Sequence, residues 1–308
     1  MGGGLELPVK RAALMGIAAT VRAKLSLALQ CREEFRNWQA VVLRVGVSHL
    51  GWSHGVFTVS SREGLTLQAP NHRMSWWPLV EVLADDAYGL RDIYWEDPDA
   101  PRVVLDIGAH VGSFTCALAA RLAGARFVCV EPSPSTLGWL RGNLAQNGLS
   151  QRAQIVSAAV AEADGAAELW TPEDASCAAS LTPGEGQQVT VRTMSFDAVV
   201  AAAGGRADIV KLDCEGGEYA AVLDGSSDAW AMVEQLFLEY HPITGRRFEE
   251  LSGRLRECGL HLVWQRTFPR LPGQGLAYFV RGRHMTPSGP RRKFGTQEEG
   301  PSIKGDEC

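Results

Sequence analysis

The sequence predicts an α/β fold, a mostly parallel sheet with helices on both faces. Three observations carry this. From residue 102 onward, short apolar runs of strand length alternate with helical stretches. The first of these runs ends in a turn bearing Gly108 and Gly112, after which a helix begins. The last two runs, 260–264 and 276–280, are joined by a loop alone, which predicts a closing antiparallel hairpin.

Ahead of that alternation, residues 8–36 read as one or two helices, with Leu14, Ile17, Leu25, Leu27 and Leu29 among Arg and Lys. Residues 40–47, 56–59 and 65–67 are apolar stretches parted by Gly and Ser, so a small strand-rich region is expected over 40–70. Residues 74–83 return to helix, and Asp97-Pro98-Asp99-Ala100-Pro101 marks a boundary. Beyond it, strands are expected at 102–106, 126–131 and 154–157, with helices at 112–122 and 134–147. Strand-like pieces at 167–170 and 188–193 flank a turn-rich insertion. A strand at 209–212, a helix opening near Glu218, a strand at 235–240 and a helix at 248–258 lead to the final pair. Parallel crossovers of this kind are right-handed. The expected division is an N-terminal extension over 1–100, a principal domain over 101–284, and a polar, disordered tail over 285–308.

With 308 residues the chain has room for one large α/β domain with an elaborated end. No apolar run reaches the roughly 20 residues that cross a bilayer as a helix. The apolar stretch 12–20 is short and soon followed by Arg22 and Lys24, so it reads as an amphipathic helix rather than a signal peptide, and a cytoplasmic location is expected. The seven cysteines are odd in number and form no CxxC pair, which argues against a disulfide scaffold or a zinc knuckle. A net charge of −5 gives no general attraction to nucleic acid. The expected partner is a small molecule, with no nucleic acid and no membrane, and the chain is a monomer or homodimer.

Ligands of open parallel sheets bind beyond the carboxyl ends of the strands. There, Asp106-Ile107-Gly108 ends the first strand. Gly108 lets the backbone approach a ligand closely, and Gly112 lets the next helix start tightly. The spacing is Gly-x-x-x-Gly with His110 inside it, not the dinucleotide pattern G-x-G-x-x-G. Asp106 is placed to hold the cationic amino-acid end of S-adenosylmethionine, directly or through water; the alternative is a generic βα turn whose Asp caps the helix. Glu131, 25 positions further on, ends the second strand, and Pro132 stops it. A carboxylate there accepts both hydroxyls of an adenosine ribose. His110 either touches the ligand or the acceptor, or bonds to backbone at the helix start; ligand contact is favoured over a role as base.

The run Asp208-Ile209-Val210-Lys211-Leu212-Asp213-Cys214-Glu215-Gly216-Gly217-Glu218 gives Lys211 and Asp213 the same facing and sets Asp213 and Glu215 around a strand end. Glu218 either belongs to this site or complements the helix dipole. Leu236-Phe237-Leu238-Glu239-Tyr240-His241-Pro242 brings Glu239 and His241 to the same rim. Imidazole titrates near neutrality, so His241 or Asp213 is expected to take the proton of an acceptor hydroxyl, with Glu239 orienting the partner. The alternative is an ion-pair network of Glu239, Lys211 and His241 that supports the loops. Asp213, Glu215 and Glu239 are oxygen ligands of the type Mg²⁺ takes, but Lys211 offsets the need, and no metal is expected.

Together these segments resemble the FkbM family of methyltransferases over about 103–241. That family is similar to V-L-D-x-G-A-N-x-G, E-P, K-x-D-x-E-G-x-E and E-x-H. Here these appear as Val104-Leu105-Asp106-Ile107-Gly108-Ala109-His110-Val111-Gly112, Glu131-Pro132, Lys211-Leu212-Asp213-Cys214-Glu215-Gly216-Gly217-Glu218 and Glu239-Tyr240-His241. The resemblance implies a class I methyltransferase, with a Rossmann-like seven-stranded sheet and an antiparallel final strand. It implies S-adenosyl-L-methionine as cofactor and oxygen atoms of sugars, polyketides or related natural products, as in antibiotic biosynthesis, as acceptors. Carried over residue by residue, it places Asp106, Gly108 and Glu131 at the donor, and Lys211, Asp213, Glu215, Glu239 and His241 around the reaction cleft. His110 departs from the usual asparagine, which bears on the hydrogen bonding at the donor. The first 100 residues carry no transferable motif but are expected to shape the acceptor pocket, with Trp76, Trp77, Tyr88 and Tyr94 as candidate walls. The leading expectation is O-methylation. N-methylation would need less base catalysis, and carboxyl methylation would use Lys211 or an arginine to hold a charged acceptor. An NAD-binding oxidoreductase lacks its third glycine here, and a non-catalytic binding protein would not need these acids and His241.

Overall fold

The computed structural model describes residues 24–47, 55–93, 95, 97–172, 176–184, 186–268 and 271–282. The helix expected over 8–23, Tyr94 and the tail 285–308 lie outside them. Residues 24–34 form helix α1. It is followed by α2 (Trp38–Gly46), strands β1 (Val56–Ser60) and β2 (Thr66–Pro70), and helix α3 (Arg73–Leu83). The two strands pair antiparallel, as the sequence predicts, but 40–47 is helical and not a strand. The contiguous Val41-Val42-Leu43 hides the period: Val41 is buried while Leu43 is 67% exposed, a helical division of faces that a short apolar run does not reveal.

After the boundary come β3 (Val103–Ile107), α4 (Ser113–Ala119), β4 (Arg126–Val130), α5 (Pro134–Gln146) and β5 (Ala153–Val156). The insertion holds β6 (Ala159–Val160), β7 (Gly165–Thr171) and β8 (Gln187–Met194), a separate three-stranded sheet, with a 3₁₀ turn at Ser176–Ala178. The chain continues through α6 (Phe196–Ala202), β9 (Ile209–Leu212), α7 (Glu218–Leu223), α8 (Ser227–Ala231), β10 (Gln235–Tyr240), α9 (Phe248–Glu257), β11 (Leu260–Thr267) and β12 (Gly275–Arg281). Helices α6 and α8 are too short to show a helical period, yet both are started by a serine cap: Ser195 accepts from Ala198 N–H, and Ser226 from Ala229 N–H.

The main sheet has seven strands in the order β11-β12-β10-β9-β3-β4-β5. Strands β10, β9, β3, β4 and β5 are parallel, and β12 runs antiparallel between β10 and β11. This is the Rossmann-like class I methyltransferase sheet. From β3 the chain winds outward to β4 and β5, then returns to lay β9 on the other flank of β3. The C-terminal tips of β3 and β9 therefore flank the switch point, where such sheets open a crevice.

Alternation along the central strands loads both faces with apolar side chains. Val104, Phe127, Cys129, Ile209 and Phe237 pack on one face, Leu105, Ile107, Val128, Val210 and Leu236 on the other. The N-terminal extension joins the first of these cores, since Phe35, Val59, Leu67, Trp76 and Leu79 are buried in the same cluster. Polar contacts fasten it further. On α5, Asn143 accepts from Gln68 N–H (2.8 Å) and donates to Gln68 C=O (2.8 Å). Asn147, one turn on, does the same with Thr66 (3.0 and 2.8 Å), so two amides occupy the open edge of β2. No helix among the described residues is long and apolar enough to cross a membrane.

Under the second face, Trp230 of α8 is fully buried, stacked on Phe196 at 4.2 Å, and donates Nε1–H to Ala221 C=O. Trp230→Ala removes that stack and leaves a carbonyl without its donor. A loss of about 3–5 kcal/mol is expected, read as a lower denaturant midpoint at unchanged slope.

Candidate functional site

The tips of β3 and β9 meet at Gly108. Its φ is +74°, and a Cβ there would lie 1.6 Å from the carbonyl oxygen of Asp213. Gly108 is thus required for two loops of the protein to touch, a constraint separate from any ligand. Gly112 (φ +86°) opens α4, and a Cβ would press to 2.9 Å from Leu140 of α5. Between them His110 is itself left-handed (φ +49°). Its N–H donates to Glu131 Oε2 (2.8 Å), while Glu131 Oε1 accepts from Ser133 N–H (2.9 Å). Burial pushes the Glu131 carboxyl up to about 7, although these two backbone donors oppose the shift.

A chain of charge runs across the switch point. Thr115 of α4 donates to Asp106 Oδ2 (2.6 Å), whose Oδ1 faces Lys211 Nζ at 3.7 Å. Lys211 donates to Gly108 C=O (2.6 Å) and pairs with Asp213 Oδ2 (3.1 Å). The phenol of Tyr88 donates to that same Oδ2 (3.1 Å). Burial would lower the Lys211 pKa, but the carboxylates of Asp213 and Asp106 outweigh it and hold the ammonium above its ordinary value. Asp106 is fully buried and its Oδ1 makes no hydrogen bond among the described residues.

A second cluster closes the loop after β9. Glu218, fully buried at the start of α7, turns back to accept from Cys214 N–H (2.7 Å) and Gly216 N–H (2.9 Å). These bonds brace a turn in which Glu215 is left-handed (φ +52°). His241, at the end of β10, puts Nδ1 3.2 Å from Glu218 and Nε2 3.3 Å from Glu215 and 3.8 Å from Glu239. Burial works against its charge, but Glu215 and Glu218 prevail and raise its pKa to about 10. His241 is therefore an imidazolium near neutrality, not a free base. Glu239 accepts from Gln274 Nε2 (2.8 Å).

These elements wall a cavity of about 300 Å³. Of the residues singled out from the sequence, Gly108, His110, Glu131, Lys211, Asp213, Glu215 and Glu239 line it. Asp106, Gly112, Glu218 and His241 stand behind the wall. From the extension come Trp77, Pro78, Glu81, Val82 and Tyr88, whereas Trp76 is buried against Phe57. The wall formed by Ser176, Cys177, Ser180 and Leu181 of the insertion carries no motif; its one sequence signal is a turn-rich stretch between two strands. Ser180 Oγ donates to Glu215 C=O (2.8 Å), fastening that wall to the acidic loop. Asp213, Glu239 and His241 offer ligand atoms within 4.8 Å of one another, an arrangement a divalent ion would suit. Lys211 also supplies positive charge to Asp213.

The raised pKa of His241 makes stability depend on pH. Its folded value lies above its unfolded one, so its contribution is complete below about 6.5 and fades as pH rises to about 10. Thermal unfolding across that window is expected to show a falling Tm that flattens in His241→Gln; parallel curves for the two proteins would contradict the assignment.

Comparison with known proteins agrees with this layout. The methyltransferase FkbM domain family matches residues 106–262, just over half of the chain. No curated protein sequence matches. Among solved structures, the precorrin-6y C5,15-methyltransferase of Geobacter metallireducens is 12% identical over 63% of this chain and 85% of that one (TM-score 0.39). M. jannaschii TYW2 in complex with AdoMet is 15% identical over 75% and 88% (TM-score 0.42). Aeropyrum pernix fibrillarin with natively bound S-adenosyl-L-methionine is 11% identical over 73% and 94% (TM-score 0.41). The family match, on a seven-stranded class I sheet whose matched segments converge on one cavity, establishes that the chain belongs to the FkbM methyltransferase family and is an S-adenosylmethionine-dependent methyltransferase.

Proposed function

We propose that this enzyme methylates a hydroxyl oxygen of a small natural product, such as a sugar, glycoside or polyketide of the kind met in antibiotic biosynthesis. Support for the donor site is the set of groups at the β3 and β4 tips. Asp106 Oδ1, just behind the wall, is a buried acceptor without a hydrogen bond among the described residues, suited to reach the ammonium of the donor's amino-acid end through water. Glu131, on the cavity wall, would take the ribose hydroxyls, with Gly108 and His110 flanking it. Gly112 acts behind them by setting α4 against α5. S-adenosylmethionine, when bound, supplies an electrophilic methyl on a sulfonium. An acid-lined cavity favours that cation over a neutral or anionic ligand.

One observation carries the acceptor side: Asp213 is a carboxylate on the cavity wall, fixed by Lys211 and Tyr88. Methyl transfer to oxygen needs the hydroxyl held in line and its proton removed. With His241 held as an imidazolium, the base is Asp213. Lys211 and Tyr88 fix its orientation, Glu239 orients the acceptor, and His241 holds Glu215 and Glu239 in place. The extension, residues 1–100, shapes the acceptor pocket through Trp77, Glu81 and Tyr88, and the principal domain runs over 101–284. The acidic chain, with six free cysteines described, fits a cytoplasmic monomer or homodimer that acts on a soluble acceptor, without nucleic acid or membrane.

A methyl-transfer screen with mass detection over hydroxylated natural products tests this reading. On the acceptor so found, Asp213→Asn is expected to lower kcat by about 10²–10⁴-fold while S-adenosylhomocysteine still binds. A loss under tenfold would remove Asp213 from the role of base.

A further inference from the structure

His110 makes a connection that the reaction above does not use. Its Nε2 lies 2.9 Å from Ser176 Oγ, and Ser176 in turn donates to Ser75 Oγ at 2.8 Å. Ser75 is buried in the first turn of α3, while Ser176 opens the 3₁₀ turn of the insertion. Three segments remote in sequence thus share one hydrogen-bonded chain. A hydroxyl has a single proton. Because Ser176 gives its proton to Ser75, its oxygen is left to accept, and the bond to His110 must come from an Nε2–H. Burial and the nearby Lys211 push the His110 pKa down to about 4, so the ring is neutral and Nδ1 carries a lone pair. His110 is nine-tenths buried, lines the cavity, and its Nδ1 has no hydrogen-bond partner among the described residues. A buried acceptor left unpaired costs free energy comparable to a lost hydrogen bond. The group that meets it has to be a donor.

We propose that Ser176 is a positioning residue for the donor ligand: anchored on Ser75, it fixes His110 as the Nε2–H tautomer, so that Nδ1 accepts from the α-ammonium of a bound S-adenosyl compound. This rests on the donor site proposed above. A carboxylate cannot fill the position, since it has no proton to give. The ribose hydroxyls are assigned to Glu131; the ammonium carries three protons, so one can serve Asp106 and another Nδ1. Asparagine, usual at this position in the family the chain resembles, has no second ring nitrogen to be oriented from behind.

Calorimetry with S-adenosylhomocysteine and with 5′-methylthioadenosine, which lacks the amino-acid end, tests the assignment. Ser176→Ala is expected to weaken S-adenosylhomocysteine about tenfold and to leave 5′-methylthioadenosine within about twofold, with Ser176→Thr restoring the difference. Nitrogen-15 spectra of labelled histidine supply the readout that a purely structural role would not move. In the wild type, His110 Nδ1 should resonate as an unprotonated nitrogen and shift on binding S-adenosylhomocysteine but not 5′-methylthioadenosine. In Ser176→Ala the ring should populate both tautomers. Equal losses for the two ligands, or wild-type affinity in Ser176→Ala, would overturn the proposal alone. Failure of the wild type to bind either compound would sink the donor site and this inference with it.

Discussion

The arrangement of the cavity depends on one buried ammonium. Lys211 reaches from β9 across the switch point to the Gly108 carbonyl, and it stands between Asp106 and Asp213. An ammonium taken out of water costs several kcal/mol unless it is paired and hydrogen-bonded. Two carboxylates and a carbonyl meet that requirement together. The geometry follows from this. Lys211 draws the β3 turn and the β9 loop together, and that approach is what leaves no room for a Cβ at Gly108. The same contact directs the Asp213 carboxylate, with Tyr88 taking part from a segment 125 residues away.

The imidazolium of His241 organises the other half of the rim in the same manner. Glu218 spends its carboxylate on the amides of Cys214 and Gly216 and still faces His241. Without a cation there, Glu215, Glu218 and Glu239 would repel one another in a poorly solvated site. The two clusters divide the labour: one cation governs the tips of β3 and β9, the other the tip of β10 and the loop after β9. A surplus of carboxylates remains around the cavity, and that surplus is what makes it receptive to a sulfonium.

Much of this was legible in the sequence, and the reason is local. Fully buried parallel strands read as short, largely apolar runs, and Gly, Pro or acid residues at their ends mark the crevice; Val103–Ile107 and Ile209–Leu212 are of this kind, each interrupted by a single charged residue, Asp106 or Lys211. The errors arose where the deciding contact is tertiary. Residues 40–47 became a helix because the core accepts Val41 and rejects Leu43. Gly108 is needed by Asp213 as much as by any ligand, which no spacing can show. The carboxylates of Glu215 and Glu218 that favour the charged form of His241 are likewise brought to it only by the fold.

The groups assigned to the donor and to the proton lie on strand tips within the family match at 106–262. Trp77, Glu81 and Tyr88 lie before it, on or just after α3, and Ser176, Cys177 and Ser180 lie in the insertion, where they close the cavity from opposite approaches. Neither group lies on a strand of the main sheet. α3 is fixed by apolar packing in the first core; the insertion wall is fixed by a backbone bridge between Trp170 and Ser180, by Leu181 on Leu169 and Val191, and by Ser176 on Ser75 and Ser180 on the Glu215 carbonyl. Walls attached by packing and by single hydrogen bonds can change shape without disturbing the ion pairs beneath them. A cavity of about 300 Å³ with rigid charge on its floor and adaptable walls above can keep one transfer chemistry while its acceptor varies. Tyr88 and Ser176 tie the two together: the phenol that shapes the wall also orients Asp213, and the hydroxyl of the insertion meets His110.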